Sequence, residues 1–206
     1  MRYCLLGFAR GRERSTLRRA LATPEQRARH NIDLMLDLAG WSVQDRDDFD
    51  PTASRGVAIR EFPLKAGFAD YMLFVDRQAV GIVEAKKEGT SLSGVDTQSQ
   101  KYLDGLPVHV QRVQTPLPFA YESTGIEMVF RDVRDPEYRS RRMFSFHRPG
   151  TLMNWARESE TLRARLKTMP PLATAGLRGC QIEAIDGLEH SLADNRPRSL
   201  IQMATG

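Results

Sequence analysis

Cysteine is almost missing from this chain: Cys4 and Cys180 are its only two in 206 residues. They cannot form a CxxC pair, and their wide separation in a chain with no export signal favours free thiols over a disulfide or a zinc ligand set. We read them as free thiols. The four histidines, His30, His109, His147 and His190, are scattered without metal-ligand spacing. No apolar run approaches the roughly 20 residues of a membrane-spanning helix. The opening "MRYCLLGFARGRERS" has too short an apolar patch, and too basic a continuation, for a cleavable export signal, so the expected location is the cytoplasm. Internal repeats and low-complexity tracts are also missing. The serine of "ESTG" has no visible base partner, which leaves no hydrolase triad.

What is present is an ordinary globular composition, 41% hydrophobic and 27% charged, enough for a sizeable core. Net charge is +4, with arginine supplying most of the cations. The planar guanidinium fork suits phosphate oxygens, so the balance permits a nucleic-acid partner, though a solvated basic surface fits the charge equally well.

Residues 1–22 form a basic arm with little apolar periodicity. A helix is expected next: Thr23 caps it, Pro24 suits its first turn and Gln26 completes a capping box. Ile32, Met35, Leu36 and Ala39 make its apolar stripe, and Gly40 ends it. An acidic loop leads to the extended run "VAIREF", stopped by Pro63. Two apolar runs separated by "DRQ" read as a hairpin. "SLSGVDTQSQKYL" reads as a short helix, and "PFAYES", "IEMVFRD" and "MFSFH" as three strands, the first two joined through Gly125. A helical tail from Thr151, broken at "MPPLATAGLRG", precedes a last apolar strand in "RPRSLIQMATG".

The hairpin carries the chemistry. With its turn centred on Arg77, antiparallel counting sets Asp70 opposite Glu84. Asp70, Met72 and Phe74 then share one side and meet Val80, Ile82, Glu84 and Lys86. Opposed Cβ atoms lie roughly 4.5–5.5 Å apart, so both carboxylates could reach one cation. Mg²⁺ suits such a pair because it takes oxygen ligands, retains waters and accepts phosphate oxygens. Lys86 would point into the same place, while Lys87 and Glu88 face away or lie in the turn. The alternative stays open: "EAKKEG" is also how a solvated strand end looks.

Asp70 followed by Glu84-Ala85-Lys86 on the next strand resembles the PD-(D/E)xK nucleases, with Ala69 in place of the motif's proline. Gln98 and Tyr102 match the QxxxY motif of members similar to the RecB nuclease domain. The ordered set "GVAIREFPL", "ADYMLFVDRQAVGIVEAKKEG", "LPFAYESTGIEMVF", "FSFHRP" and "RPRSLIQMATG" further resembles the N-terminal part of the restriction (motor) subunit of type I restriction enzymes, over about Thr23 to Gly206. That resemblance implies an α/β, restriction-endonuclease-like core with a mixed central sheet flanked by helices. It implies an endonuclease domain at 23–150, a helical linker at 151–196 and the start of an ATP-dependent translocase at 197–206.

By the same resemblance Asp70 and Glu84 would hold Mg²⁺, Lys86 would assist the attacking water, and Gln98 and Tyr102 would position the DNA backbone or that water. Glu25 is a possible further acidic contributor, or simply a complement to the helix dipole. Arg139, Arg141, Arg142 and Arg148 are candidate DNA contacts, with a solvated loop as the alternative. The implied partners are DNA and the methylase and specificity subunits. The phosphate-binding Gly-Lys-Thr of the motor does not occur before Gly206, so ATP would be used only by a longer protein. Two other readings are kept: a catalytically silent docking scaffold, and a stand-alone structure-selective nuclease.

Overall fold

A computed structural model describes residues 23–65, 67–92, 105–137, 139–196 and 198–202. The arm at 1–22, Gln98, Tyr102 and the helix expected around them lie outside the described residues.

Helix α1, Pro24–Leu38, begins as its sequence dictates. The Gln26 amide N–H donates to Thr23 Oγ1 at 3.2 Å, and the Thr23 N–H donates to Gln26 Oε1 at 3.0 Å. Ala28, Ile32 and Leu36 are buried at helical spacing, and Gly40 turns the chain away at φ +87°.

Seven strands follow in one sheet whose spatial order is the chain order. They are β1 (Ser42–Gln44), β2 (Gly56–Leu64), β3 (Gly67–Val75), β4 (Gln78–Ala85), β5 (Phe119–Ser123), β6 (Met128–Asp132) and β7 (Arg141–Met143). Pairings β1–β2 and β4–β5 are parallel and the other four antiparallel, so the sheet is mixed. A 3-10 turn at Arg46–Asp48 and helices α2 (Pro149–Arg157), α3 (Leu162–Leu166) and α4 (Gly179–Ala193) complete the described elements. This is the α/β class, with helices flanking a mixed sheet, that the family resemblance implies.

Alternation along the strands splits the apolar residues between two faces. Tyr71, Leu73, Val75 and Val83 pack with Ile32 and Leu36 of α1 and with Leu152 and Met153 of α2. Val57, Ile59, Met72, Phe74 and Ile82 pack on the other face with Leu106 and Leu117. A polar pin fastens α1 to the first face. The Tyr71 hydroxyl donates to Asp33 Oδ1 at 2.8 Å, and the Arg60 guanidinium donates to both Asp33 oxygens, at 3.2 and 3.0 Å. Burial, then the neighbouring Asp33 charge, hold the Tyr71 phenol well above its ordinary value, so it remains a donor.

Several expectations are corrected. Strand β2 continues through Pro63 instead of stopping there, because Pro63 still faces Phe68 across the ladder. β1, only three residues long, gave too short a pattern to register. β7 is Arg141–Met143, beginning two residues before the expected "MFSFH" and sharing only Met143 with it, because Arg141, Arg142 and Met143 pair with β6 while Phe146 turns into the core. Helix α2 starts at Pro149, where a proline at the first position is tolerated, not at Thr151. Residues 198–202 form no strand, having no ladder partner among the described residues.

Candidate active site

The site begins with the β3–β4 hairpin, where a correct pairing arises for a reason the sequence did not show. The turn is the even, two-residue loop Asp76-Arg77, both residues at positive φ (+48° and +68°), with Val75 facing Gln78. Alone, that turn would slip the register by one and separate the two carboxylates. A β-bulge between Leu73 and Phe74 cancels the slip: Phe74 faces Ala79, Leu73 faces Gly81, and Val80 is the extra residue. Beyond the bulge Met72 faces Ile82 and Tyr71 faces Val83, the last rung of the ladder; continuing that register sets Asp70 across from Glu84, where the Ala85 N–H meets the Asp70 side chain. The bulge also moves Val80 to the face opposite Ile82, so its expected place beside Glu84 is corrected.

Asp70 is fixed by two donors. Its Oδ2 accepts the Ala85 N–H at 2.9 Å and its Oδ1 accepts from Arg29 of α1 at 2.8 Å. Glu84 is buried, and its Oε1 accepts from Lys86 Nζ at 3.1 Å. Burial, and then the Asp70 charge, push the Glu84 carboxyl above its usual range, while the Lys86 hydrogen bond pulls it back. The Lys86 N–H donates to Ser123 O at 2.8 Å, so β5 also holds the strand end that carries this lysine.

A cavity of about 540 Å³ opens beside these groups, lined by Glu25, Gln26, Arg29, Ala85, Lys86, Lys87 and Thr90. Glu25 is therefore at the cavity, where Lys87 Nζ meets it at 3.1 Å. Glu88 pairs with Arg27 at 3.1 Å, so Lys87 and Glu88 both tie the loop after β4 to α1.

Two carboxylates whose charges oppose each other, beside a cavity, make a donor set suited to a hard divalent cation. Among the described residues no group of three His, Cys, Asp or Glu gathers into a metal site. Mg²⁺ needs no such group, because it is commonly held by one or two carboxylates with waters and substrate phosphates. The residues present fit Mg²⁺ on that ground.

The structure adds residues the sequence did not single out. Arg29 bridges Asp70 and Glu61, donating to Glu61 Oε1 at 2.7 Å, and Glu61 sits at φ +50° opposite Asp70 on β2. Glu122 on β5 lies beside Glu84 in the parallel ladder, buried, with Arg131 at 3.8 Å. Arg29 had a legible signal, since Glu25, Arg29 and Asp33 repeat every four residues along α1.

Two of the four candidate DNA-contacting arginines are engaged by the fold itself, and the other two are not. Arg141 pairs with buried Asp135, and Arg139 donates to Asn195 Oδ1 at 2.9 Å. Arg142 is largely exposed near Glu127, and Arg148 stands just before α2.

The model of the "Type I restriction enzyme EcoKI endonuclease subunit second domain" matches residues 42–156, more than half of the 206-residue chain. The chain belongs to this restriction-subunit family. Among curated relatives, the type I restriction enzyme EcoKI endonuclease subunit of Escherichia coli K12 is 25% identical, over 92% of this chain. The match spans 21% of that subunit, so the family chain described here corresponds to about a fifth of its relative's length. A solved fragment described as an HsdR subunit of a type I restriction enzyme from Vibrio vulnificus YJ016 aligns over 90% of this chain and 35% of its own, with 20% identity and a TM-score of 0.49. The family match spans every strand, and with them the Asp70–Glu84 pair. No helix among the described residues is long and apolar enough to cross a membrane.

Proposed function

We propose that this chain is the Mg²⁺-dependent DNA endonuclease domain of a type I restriction subunit. The observation that carries the reading is the convergence of Asp70, Glu84 and Lys86 at one end of the β3–β4 hairpin beside a cavity. When bound, the metal would supply positive charge to a phosphate and make its water easier to deprotonate. Asp70 and Glu84 would be its protein ligands.

The chain's own groups divide the remaining work. Lys86, held against Glu84 by its hydrogen bond and against β5 by its backbone, places a cation where charge builds on the phosphate. The Ala85 N–H keeps Asp70 from rotating out of the site. Gln98 and Tyr102, outside the described residues, would hold the DNA backbone or the attacking water. Cleavage would follow translocation by an ATP-driven motor in a longer protein, assembled with methylase and specificity subunits.

The test is cleavage by the restriction complex that carries this chain. Asp70→Asn and Glu84→Gln should each abolish double-strand cutting and leave ATP hydrolysis intact. Undiminished cutting by either variant would place the nuclease site elsewhere.

A further inference from the structure

The cation nearest Asp70 is not Lys86, which meets Glu84, but Arg29, reaching over from α1. Its guanidinium is shared: NH2 donates to Asp70 Oδ1 at 2.8 Å and NH1 donates to Glu61 Oε1 at 2.7 Å. This fork matches two separate carboxylates, which a single ammonium could not bridge in the same way. The Glu61 hydrogen bond, the largest influence, keeps the guanidinium firmly charged against a partial burial cost, with Asp70 reinforcing it.

The backbone is arranged for this contact. Glu61 occupies a left-handed conformation at the ladder position opposite Asp70, and the Glu61–Asp70 rung is missing while Arg60–Tyr71 and Phe62–Ala69 are made. The arginine therefore closes a gap between two strands from outside the sheet. It also lines the cavity together with Lys86 and Glu25.

A guanidinium on Asp70 Oδ1 and a divalent ion on the same carboxylate are like charges within a few ångströms. The second Asp70 oxygen already accepts the Ala85 N–H, which fixes the carboxylate in place, so an ion on either oxygen sits within a few ångströms of the guanidinium. We propose that Arg29 is a competing cation built into the metal site: it holds the Asp70 oxygen a divalent ion would use, so metal loading and the Arg29–Asp70 contact oppose each other. This rests on the metal-site reading above and deepens it, because the affinity of the site is then set from α1 and Glu61 as well as by the ligands. Linkage requires the opposition to be mutual: whatever tightens Arg29 on Asp70 weakens metal binding by the same factor.

Mn²⁺ binding to the 206-residue chain, followed by the loss of free-Mn²⁺ paramagnetic resonance signal, tests this without any cleavage assay. Arg29→Gln should tighten Mn²⁺ binding by about 10-fold, within the usual span of coupling between two ligands of one site. Arg29→Lys, which keeps the charge but loses the two-carboxylate fork, should fall between the parent and Arg29→Gln. Unchanged or weaker binding by Arg29→Gln, with Mn²⁺ still lost in Asp70→Ala, overturns the competition and leaves the metal site standing. Arg29→Lys binding as tightly as Arg29→Gln also overturns it, because the charge would then be irrelevant. Failure of the parent and every variant to bind Mn²⁺ would sink the metal site and this proposal together.

Discussion

Two ends of the same sheet both bury carboxylates beside arginines, and they use them differently. At the β6–α3 end, Asp135 is buried and meets Arg141 and Arg163, while Arg134 donates to both oxygens of Asp132 at 3.0 and 2.7 Å. Asn195, just past α4, accepts from Arg139 and Arg163 and donates to Glu137 at 3.0 Å. These contacts join β6, β7 and the C-terminal helices, and each acid there has at least one base that it shares with no other acid of the cluster. At the β3–β4 end, Asp70, Glu84 and Glu61 share Arg29 and Lys86, and the Glu84 carboxyl is pushed up by burial and then by its acidic neighbour. A balanced cluster serves as structure, whereas an acidic surplus beside a cavity is a place for a cation.

The comparison can be broken first at its chemical end. Lys86→Met should lower cleavage by the assembled complex by about 10² to 10³-fold, the usual range for removing a group aimed at developing charge. Its Mn²⁺ binding should persist, and loss of binding would show that Lys86 is needed to build the site instead. At the structural end, Asp135→Ala should cost about 1 to 3 kcal/mol, because it strands the mostly covered Arg163 and the more exposed Arg141, whose charge solvent partly screens. Urea unfolding measures this, and Mn²⁺ affinity should not move.

A smaller effect concerns His147, which lies under Tyr121 with the Tyr121 hydroxyl 2.6 Å from Nδ1. Burial first, and then the Arg141 charge, lower it from 6.5 to about 4. Its contribution is thus complete above pH 6.5 and is lost as pH falls from there toward 4, since the unfolded chain takes up the proton first. With its partial exposure to solvent the loss should stay below about 2 kcal/mol. His147→Asn should flatten that slope in urea unfolding followed across this window. The smallest change is expected from Arg139→Ala: its partner Asn195 is reached from the surface, so unfolding should shift by less than about 1 kcal/mol.

How far the fold was legible depended on the range of the signal. The α1 cap was plain because Thr23 and Gln26 are three residues apart and act only on each other. The opposition of Asp70 and Glu84 was reached by counting, yet two local irregularities had to cancel for the count to hold. Nothing in "DRQAVG" distinguishes an odd turn from an even turn plus a bulge at Val80. Glu122 sat unnoticed in "PFAYES", because its place beside Glu84 depends on the parallel β4–β5 pairing, which is set by the long connection between those strands. Arg139 and Arg141 looked like a solvent-facing patch because Asn195, which takes up Arg139, comes from far along the chain, and because the turn that brings nearby Asp135 onto Arg141 left no mark in the sequence. Local chemistry was readable, and long-range ion pairing was not.

The most direct measurement is calorimetric titration of Mn²⁺ or Mg²⁺ into the 206-residue chain, alongside Asp70→Ala and Glu84→Ala. The account predicts one saturable site in the parent that both substitutions remove while the proteins stay folded by circular dichroism. Binding as tight in either variant as in the parent would contradict it.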